Sequence, residues 1–276
     1  MTAKELFNKT VTELSFSDEA EFEAYCLFES LLNISKTQLI INTVEISNEQ
    51  ISIIEDAVLR RKKSEPLQYI IGNWDFYDMS FIVGEGVLIP RPETEALVEF
   101  ALEKIKNIEN PIIYDLCAGS GCIGLTISKH RIDAKVYLLE KEANAIKYLE
   151  KNKEKYNLKN AFVIQGDMFN FDFSNLPDAD IILSNPPYIP VKEINDLQKE
   201  VLFEPITALN GGDDGLDFYR CLAEKWILKV KKGGYVAIEC GDGQSEDIIS
   251  LFDKKYSEKR VIYDFNNIDR IVIFGI

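Results

Sequence analysis

The residues best suited to do chemistry are Ser184-Asn185-Pro186-Pro187-Tyr188-Ile189-Pro190. Two consecutive prolines fix φ at about −65° and remove two backbone donors, leaving a stiff loop with a side-chain amide before it and an aromatic ring after it. Such a loop can hold a planar amino group. The Asn185 side-chain carbonyl and the Pro186 backbone carbonyl accept its two N–H bonds, while Tyr188 stacks on the plane that carries them. An amide or aniline-type nitrogen meets that description. The plain alternative is a turn, since Asn and Pro dominate turns. Asp180-Ile181-Ile182-Leu183 immediately before is an apolar run of the buried-strand type, so Asn185 falls at or just past a strand's carboxyl end. Open α/β sheets bind ligands at that edge.

A second signal ends another apolar strand: Tyr114-Asp115-Leu116-Cys117-Ala118-Gly119-Ser120-Gly121-Cys122-Ile123-Gly124, a Gly-rich turn running into a helical pattern. It satisfies G-x-G-x-x-G, and Glu140 ends the next strand, so NAD is a rival ligand. Asp115 and the Asn185 loop tilt the choice. A carboxylate entering the turn suits a charged amino group and a sulfonium, whereas a dinucleotide would bring a pyrophosphate near it. For Asp115 the plain alternative is a turn-stabilising Asp. After the third strand, Gly166-Asp167-Met168 places Asp167 to accept from an adenine amino group and Met168 to pack on its face.

Together these segments resemble the amino-methyltransferases that use S-adenosylmethionine. More closely, Glu65-Pro66-Leu67-Gln68-Tyr69-Ile70-Ile71-Gly72, Ile89-Pro90-Arg91-Pro92-Glu93-Thr94-Glu95 and Gly211-Gly212-Asp213-Asp214-Gly215-Leu216-Asp217-Phe218-Tyr219-Arg220 look like the release-factor glutamine methyltransferases, the HemK/PrmC family. The resemblance runs in order from about Glu65 to Arg270. It implies catalysis by Asn185, Pro186, Pro187 and Tyr188. It also implies cofactor binding by Asp115, Cys117, Ala118, Gly119, Ser120, Gly121, Glu140, Asp167, Met168 and Asn185, with Arg91, Glu93 and Glu95 as second-rank organisers of the site. The implied substrate is the glutamine of the Gly-Gly-Gln loop in peptide-chain release factors, docked by the N-terminal helices in the cytoplasm. Family members usually carry Gly-Thr where this chain has Cys117-Ala118, and Asp where it has Glu140; Asp264 to Arg270 replaces a Gly-containing turn. Two other readings stay open. One is an adenine N6 methyltransferase acting on a flipped base; the other is a catalytically silent module that binds the translation machinery.

The composition bounds these readings. A chain of 276 residues with 46% apolar content can build a small and a medium domain. Its 31 basic and 46 acidic side chains give a net charge of −15, which opposes extended nucleic-acid contact. Cys26, Cys117, Cys122, Cys221 and Cys240 lack Cys-x-x-Cys spacing, so they read as reduced thiols, and the lone His130 excludes a histidine-based metal cluster. Met1 to Phe16 lacks an apolar run fit for a signal sequence, and no stretch reads as a membrane span.

The spacing predicts a helical docking domain over 1–64, a β-hairpin connector over 65–92 and a methyltransferase domain over 93–276. In the first, Phe22, Cys26, Leu27, Leu31 and Leu32 recur at helical spacing, Ser35 to Gln38 and Ser47 to Gln50 read as capping boxes, and Arg60 to Lys63 read as a solvated helix end. From Pro111 onward strands at 112–116, 135–140, 162–165, 181–184 and 235–239 alternate with helices, which predicts a parallel sheet covered on both faces. Lys255 to Phe265 and Arg270 to Phe274 complete it, one of them antiparallel. The expected fold is α/β: a seven-stranded, mostly parallel Rossmann-like sheet.

Overall fold

The structure is a computed structural model and describes residues 1–41, 44–252 and 256–276. Two compact units emerge, Met1–Asn73 with Gln198–Phe203, and Trp74–Leu197 with Glu204–Ile276.

The first unit holds helices α1 (Ala3–Glu13), α2 (Ala20–Leu32), α3 (Lys36–Ile41), α4 (Asn48–Lys62) and α5 (Leu67–Ile71). Ser47 and Gln50 form the expected capping box of α4, and Thr2 with Glu5 forms another at α1. Helix α2 buries Glu23, Ala24, Leu27 and Phe28, whereas Phe22, expected inward, is exposed. An acid faces the core because a base is there to meet it. Arg61, 2% exposed, donates from Nε and Nη2 to the Glu23 carboxylate at 2.9 and 2.8 Å, from Nη1 to the Glu65 carbonyl at 2.7 Å and from Nη2 to Glu200 at 3.0 Å. The basic run is therefore not simply a solvated helix end, since a guanidinium is buried only when its donors are paired.

In the second unit β1 (Asn73–Phe76) and β2 (Met79–Ile82) form a small two-stranded sheet, followed by α6 (Glu95–Ile105). Then come β3 (Ile112–Leu116), α7 (Cys122–His130), β4 (Lys135–Glu140), α8 (Ala143–Lys155), β5 (Ala161–Gln165), β6 (Ala179–Ser184), α9 (Asp217–Glu224), β7 (Val230–Glu239), α10 (Ser245–Leu251), β8 (Glu258–Tyr263) and β9 (Asp269–Gly275). The seven-stranded sheet has the order β5-β4-β3-β6-β7-β9-β8, with β9 antiparallel to both neighbours and the pairs from β5 to β7 parallel. Strand β7 begins at Val230, earlier than the sequence pattern showed, because Val230 already pairs with Ala179 and the polar Lys231 to Gly234 stretch is taken up by a register shift before Tyr235 pairs with Ile181. Helix α9 ends at Glu224; a 3-10 turn, Trp226–Lys229, follows, in which buried Trp226 donates to the Met168 carbonyl. Lys255, the expected start of the penultimate strand, lies outside the described residues, and Phe265, its expected end, is exposed past the strand.

Register positions the site. Leu116 pairs with Leu139 on one side and Ser184 on the other, so β3, β4 and β6 end at one edge. From this edge β3 connects to β4 on one side and β6 to β7 on the other, which opens a crevice at the switch point between β3 and β6.

Glu23→Ala leaves the Arg61 guanidinium buried and underpaired, so unfolding free energy is expected to fall by about 3–5 kcal/mol. Glu200, about half exposed, is expected to cost less than about 1 kcal/mol as Glu200→Ala. Urea unfolding followed by circular dichroism measures both.

Candidate active site

A cleft of about 280 Å³ opens at this edge, entirely within the second unit. Among the residues singled out from the sequence, Cys117, Ala118, Gly119, Ser120 and Glu140 line it from one side. Asp167, Met168, Asn185 and Pro187 line it from others, while Asp115, Gly121, Pro186 and Tyr188 stand outside its wall.

The Gly-rich turn is fixed by carboxylates. Glu140 accepts from the Gly119 amide at 2.8 Å through one oxygen and from the Lys141 and Glu142 amides at 2.7 and 2.8 Å through the other. The oxygen that meets Gly119 keeps a lone pair for a ligand hydroxyl, while the other is filled by its two amides. Asp115, fully buried, accepts from the Gly124 amide at 2.8 Å through Oδ2, and a Cβ on Gly124 would stand 2.9 Å from that same oxygen. Its Oδ1 has no partner. Burial pushes the Asp115 carboxyl up to about 7. An orphaned carboxylate oxygen beneath the turn, an acid on the wall and apolar Ile123, Ala145 and Met168 fit S-adenosylmethionine, whose cationic amino acid end offers the donors this set lacks. Cys117 adopts φ +61°, the left-handed region that favours glycine. Burial pushes its thiol up, so it stays protonated, 3.6 Å from the Met168 sulfur. Asp167 is already engaged, accepting from the Phe169 amide at 3.0 Å and pairing with Lys141 at 3.1 Å.

The Asn185 loop is clamped from below. Ser184 donates to the Leu116 carbonyl at 2.7 Å, tying the end of β6 to β3. The Ile189 amide donates to the Leu209 carbonyl and the Gly211 amide returns to Ile189, so the Gly211 to Gly215 turn lies directly beneath the loop. A Cβ on Gly215, which has φ +79°, would meet the Tyr188 carbonyl at 2.4 Å; only glycine suits this approach. Gln244 donates to that carbonyl at 3.0 Å. Tyr188 packs on the core cluster, and burial pushes its hydroxyl up to about 12.

Asn185 itself donates from Nδ2 to the Thr94 hydroxyl at 3.2 Å, and Thr94 donates to Glu239 at 2.6 Å. Burial pushes Glu239 up to about 7. Thr94 and Glu239 escaped the sequence reading although both carried signals. Thr94 sits between Glu93 and Glu95, whose charges drew attention; yet Glu93 is exposed, Glu95 accepts from the Tyr77 amide, and neither lines the cleft. Glu239 ends the apolar run Val236-Ala237-Ile238, as Glu140 ends its own strand. Arg91 does line the cleft and pairs with buried Glu204, which also accepts from the Ile89 amide at 2.9 Å.

A sheet of this order with acid-tipped β3 and β4 and an Asn-Pro-Pro-Tyr loop after β6 defines a methyltransferase fold. Consistent with this, the chain aligns with a methyltransferase from Pyrococcus furiosus at TM-score 0.53 and 16% identity, covering 84% of this chain and 100% of that one. It aligns with the catalytic domain of hMettl16 at TM-score 0.57 and 11% identity, covering 92% and 90%. Residues 5–72 match the PrmC N-terminal domain and residues 94–212 the Methyltransferase small domain. The chain is 41% identical to the release factor glutamine methyltransferase of Thermodesulfovibrio yellowstonii, over 99% of its own length and 98% of the relative's. Identity is 35% with that of Geobacter sulfurreducens, over 92% and 89%, and 32% with that of Aquifex aeolicus, over 95% and 94%. The chain belongs to the release factor glutamine methyltransferase family.

The two carboxyls raised to about 7 keep protons in the folded chain that the unfolded chain releases. The folded state thus binds more protons between about pH 4 and 7, so their contribution falls as pH rises through that window, by up to about 1.4 kcal/mol per unit per group, and levels off above it. Urea unfolding at steps from about pH 5 to 8 is expected to show a shallower decline in Asp115→Asn than in wild type.

Proposed function

We propose that this protein transfers the methyl group of S-adenosylmethionine to the side-chain nitrogen of the glutamine in the Gly-Gly-Gln loop of peptide-chain release factors. The observation that carries the reading is Asn185 on the wall of the same cleft as Glu140 and the Gly-rich turn. Bound S-adenosylmethionine supplies an electrophilic methyl on a sulfonium. Glu140 would accept from a ribose hydroxyl, and Asp115, beneath the Gly-rich turn, would place negative charge behind the wall that its cationic end meets. An amide nitrogen is a poor nucleophile because its lone pair is delocalised, so the protein must hold it in line and favour localisation of that pair. Asn185 Oδ1 and the Pro186 carbonyl do this by accepting both N–H bonds, which strengthen as positive charge grows on nitrogen. Pro187 and Tyr188 keep the loop rigid, and the proton leaves after transfer without a dedicated base.

Three parts divide the work: residues 1–64 dock the release factor, 65–92 connect, and 93–276 carry the chemistry. A release-factor substrate puts the activity in the cytoplasm. The net charge of −15 disfavours extended nucleic-acid contact, which weighs against an adenine substrate. Among the described residues no helix is long and apolar enough to cross a membrane.

Incubation with methyl-labelled S-adenosylmethionine is expected to label release factor and leave DNA unlabelled; the reverse pattern overturns the reading. Asn185→Ala is expected to lower transfer by about 10²–10³-fold while calorimetry finds cofactor binding intact. Glu140→Ala is expected to weaken cofactor binding by about 1–3 kcal/mol.

A further inference from the structure

The Asn185 side chain ends in an oxygen and an NH₂ of nearly equal size, and only one orientation offers the cleft an acceptor. The opposite orientation would point N–H at an incoming N–H. We propose that Thr94 and Glu239 are positioning residues that set this orientation, Glu239 by accepting the hydrogen bond of the Thr94 hydroxyl and Thr94 by accepting an Asn185 N–H with its free lone pair. The proposal rests on the amide-methylation reading above.

Donor logic carries the argument. Above about pH 7, where Glu239 is ionised, its carboxylate can only accept, so the hydroxyl 2.6 Å from Oε2 donates to it. That hydroxyl has then spent its hydrogen, and the Asn185 atom 3.2 Å away must be the nitrogen. Oδ1 is left for the substrate. Thr94 is 1% exposed and Glu239 4%, so water does not compete for either bond. The three residues arrive from separate places: the turn before α6, the end of β6 and the end of β7. An apolar residue at the end of β7 would fill the core without a desolvated charge, so the acid is costly unless its polarity is used. Glu239 is faced by Arg91 and Glu93 from the turn before α6, Arg270 from β9, Tyr188 from the Asn185 loop, Cys122 from α7, Tyr219 from α9 and its neighbour Cys240. A protonated Glu239 would donate to Thr94 and reverse the relay, turning Nδ2 to the cleft.

The test compares Thr94→Val, which keeps shape and loses the hydroxyl, with Thr94→Ser, which keeps the hydroxyl. Thr94→Val is expected to lower kcat at least roughly tenfold while KM for release factor and Kd for S-adenosylmethionine stay within about twofold; Thr94→Ser is expected to hold kcat within about threefold of wild type. At saturating substrates, wild-type kcat is expected to fall on the acid side of neutrality, and Glu239→Gln to flatten that limb. Independently of activity, the ¹⁵N-labelled Asn185 side-chain amide is expected to exchange its hydrogen-bonded proton slowly in wild type and Thr94→Ser and faster in Thr94→Val. Should Thr94→Val not fold, Thr94→Ala replaces it under the same criteria. Equal loss of kcat in the Ser and Val variants, an unchanged acid limb in Glu239→Gln, or identical amide exchange in all proteins overturns the proposal. If wild type methylates no release factor, the substrate reading falls, and amide exchange alone then decides the orientation question.

Discussion

Carboxyl groups held out of water at the ends of adjacent strands set the terms for the rest of this structure. Asp115, one residue before the end of β3, and Glu140 and Glu239, the last residues of β4 and β7, are 0%, 8% and 4% exposed. Each is costly to bury, and the fold meets the cost with backbone amides, a hydroxyl or, for Asp115 Oδ1, with nothing. What they organise is therefore specified tightly. The Gly-rich turn is drawn onto Glu140 and Asp115, and the loop after β6 takes its amide orientation from Glu239 through Thr94. A desolvated charge is a poor stabiliser and a good ruler.

The loop that carries Asn185 shows how rigidity is built around such a ruler. Its prolines restrict it from within, while Gly211 and Gly215 restrict it from beneath by backbone approaches that a larger side chain would disrupt and Gln244 by its side-chain bond to the Tyr188 carbonyl. Asn152 performs a similar service for the turn after β3, joining the Ser120 carbonyl to both backbone groups of Ile82. Preorganisation of this kind spares the reaction the reorganisation of polar groups as charge develops.

Much of this was legible in the sequence because it depends on local rules. The strands β3 and β4 match their apolar runs residue for residue, and the capping box at Ser47 starts α4. Asp115, Glu140 and Asn185 were visible as polar residues ending apolar runs. What escaped depends on partners distant in the chain. Phe22 faces solvent because Glu23 meets Arg61, 38 residues away, and Thr94 acquires its meaning from Asn185 and Glu239, 91 and 145 residues away. Periodicity cannot tell that an arginine in a basic run will be buried, nor that a threonine between two glutamates is the residue that faces inward. The early start of β7 was hidden for a related reason: its first residues are polar and bend through a register shift.

A sheet that must keep its carboxyl edge open to ligands cannot close into a barrel, and so it retains two lateral strands with unpaired backbone groups. The protein blunts them differently. Strand β8 turns Lys259, Arg260 and Tyr263 to solvent, placing charge where another chain's strand would have to add. On the opposite flank β5 runs only five residues and exposes Phe162. The openness that admits a cofactor thus carries a standing risk of templated self-association, guarded by charge on one flank and by brevity on the other.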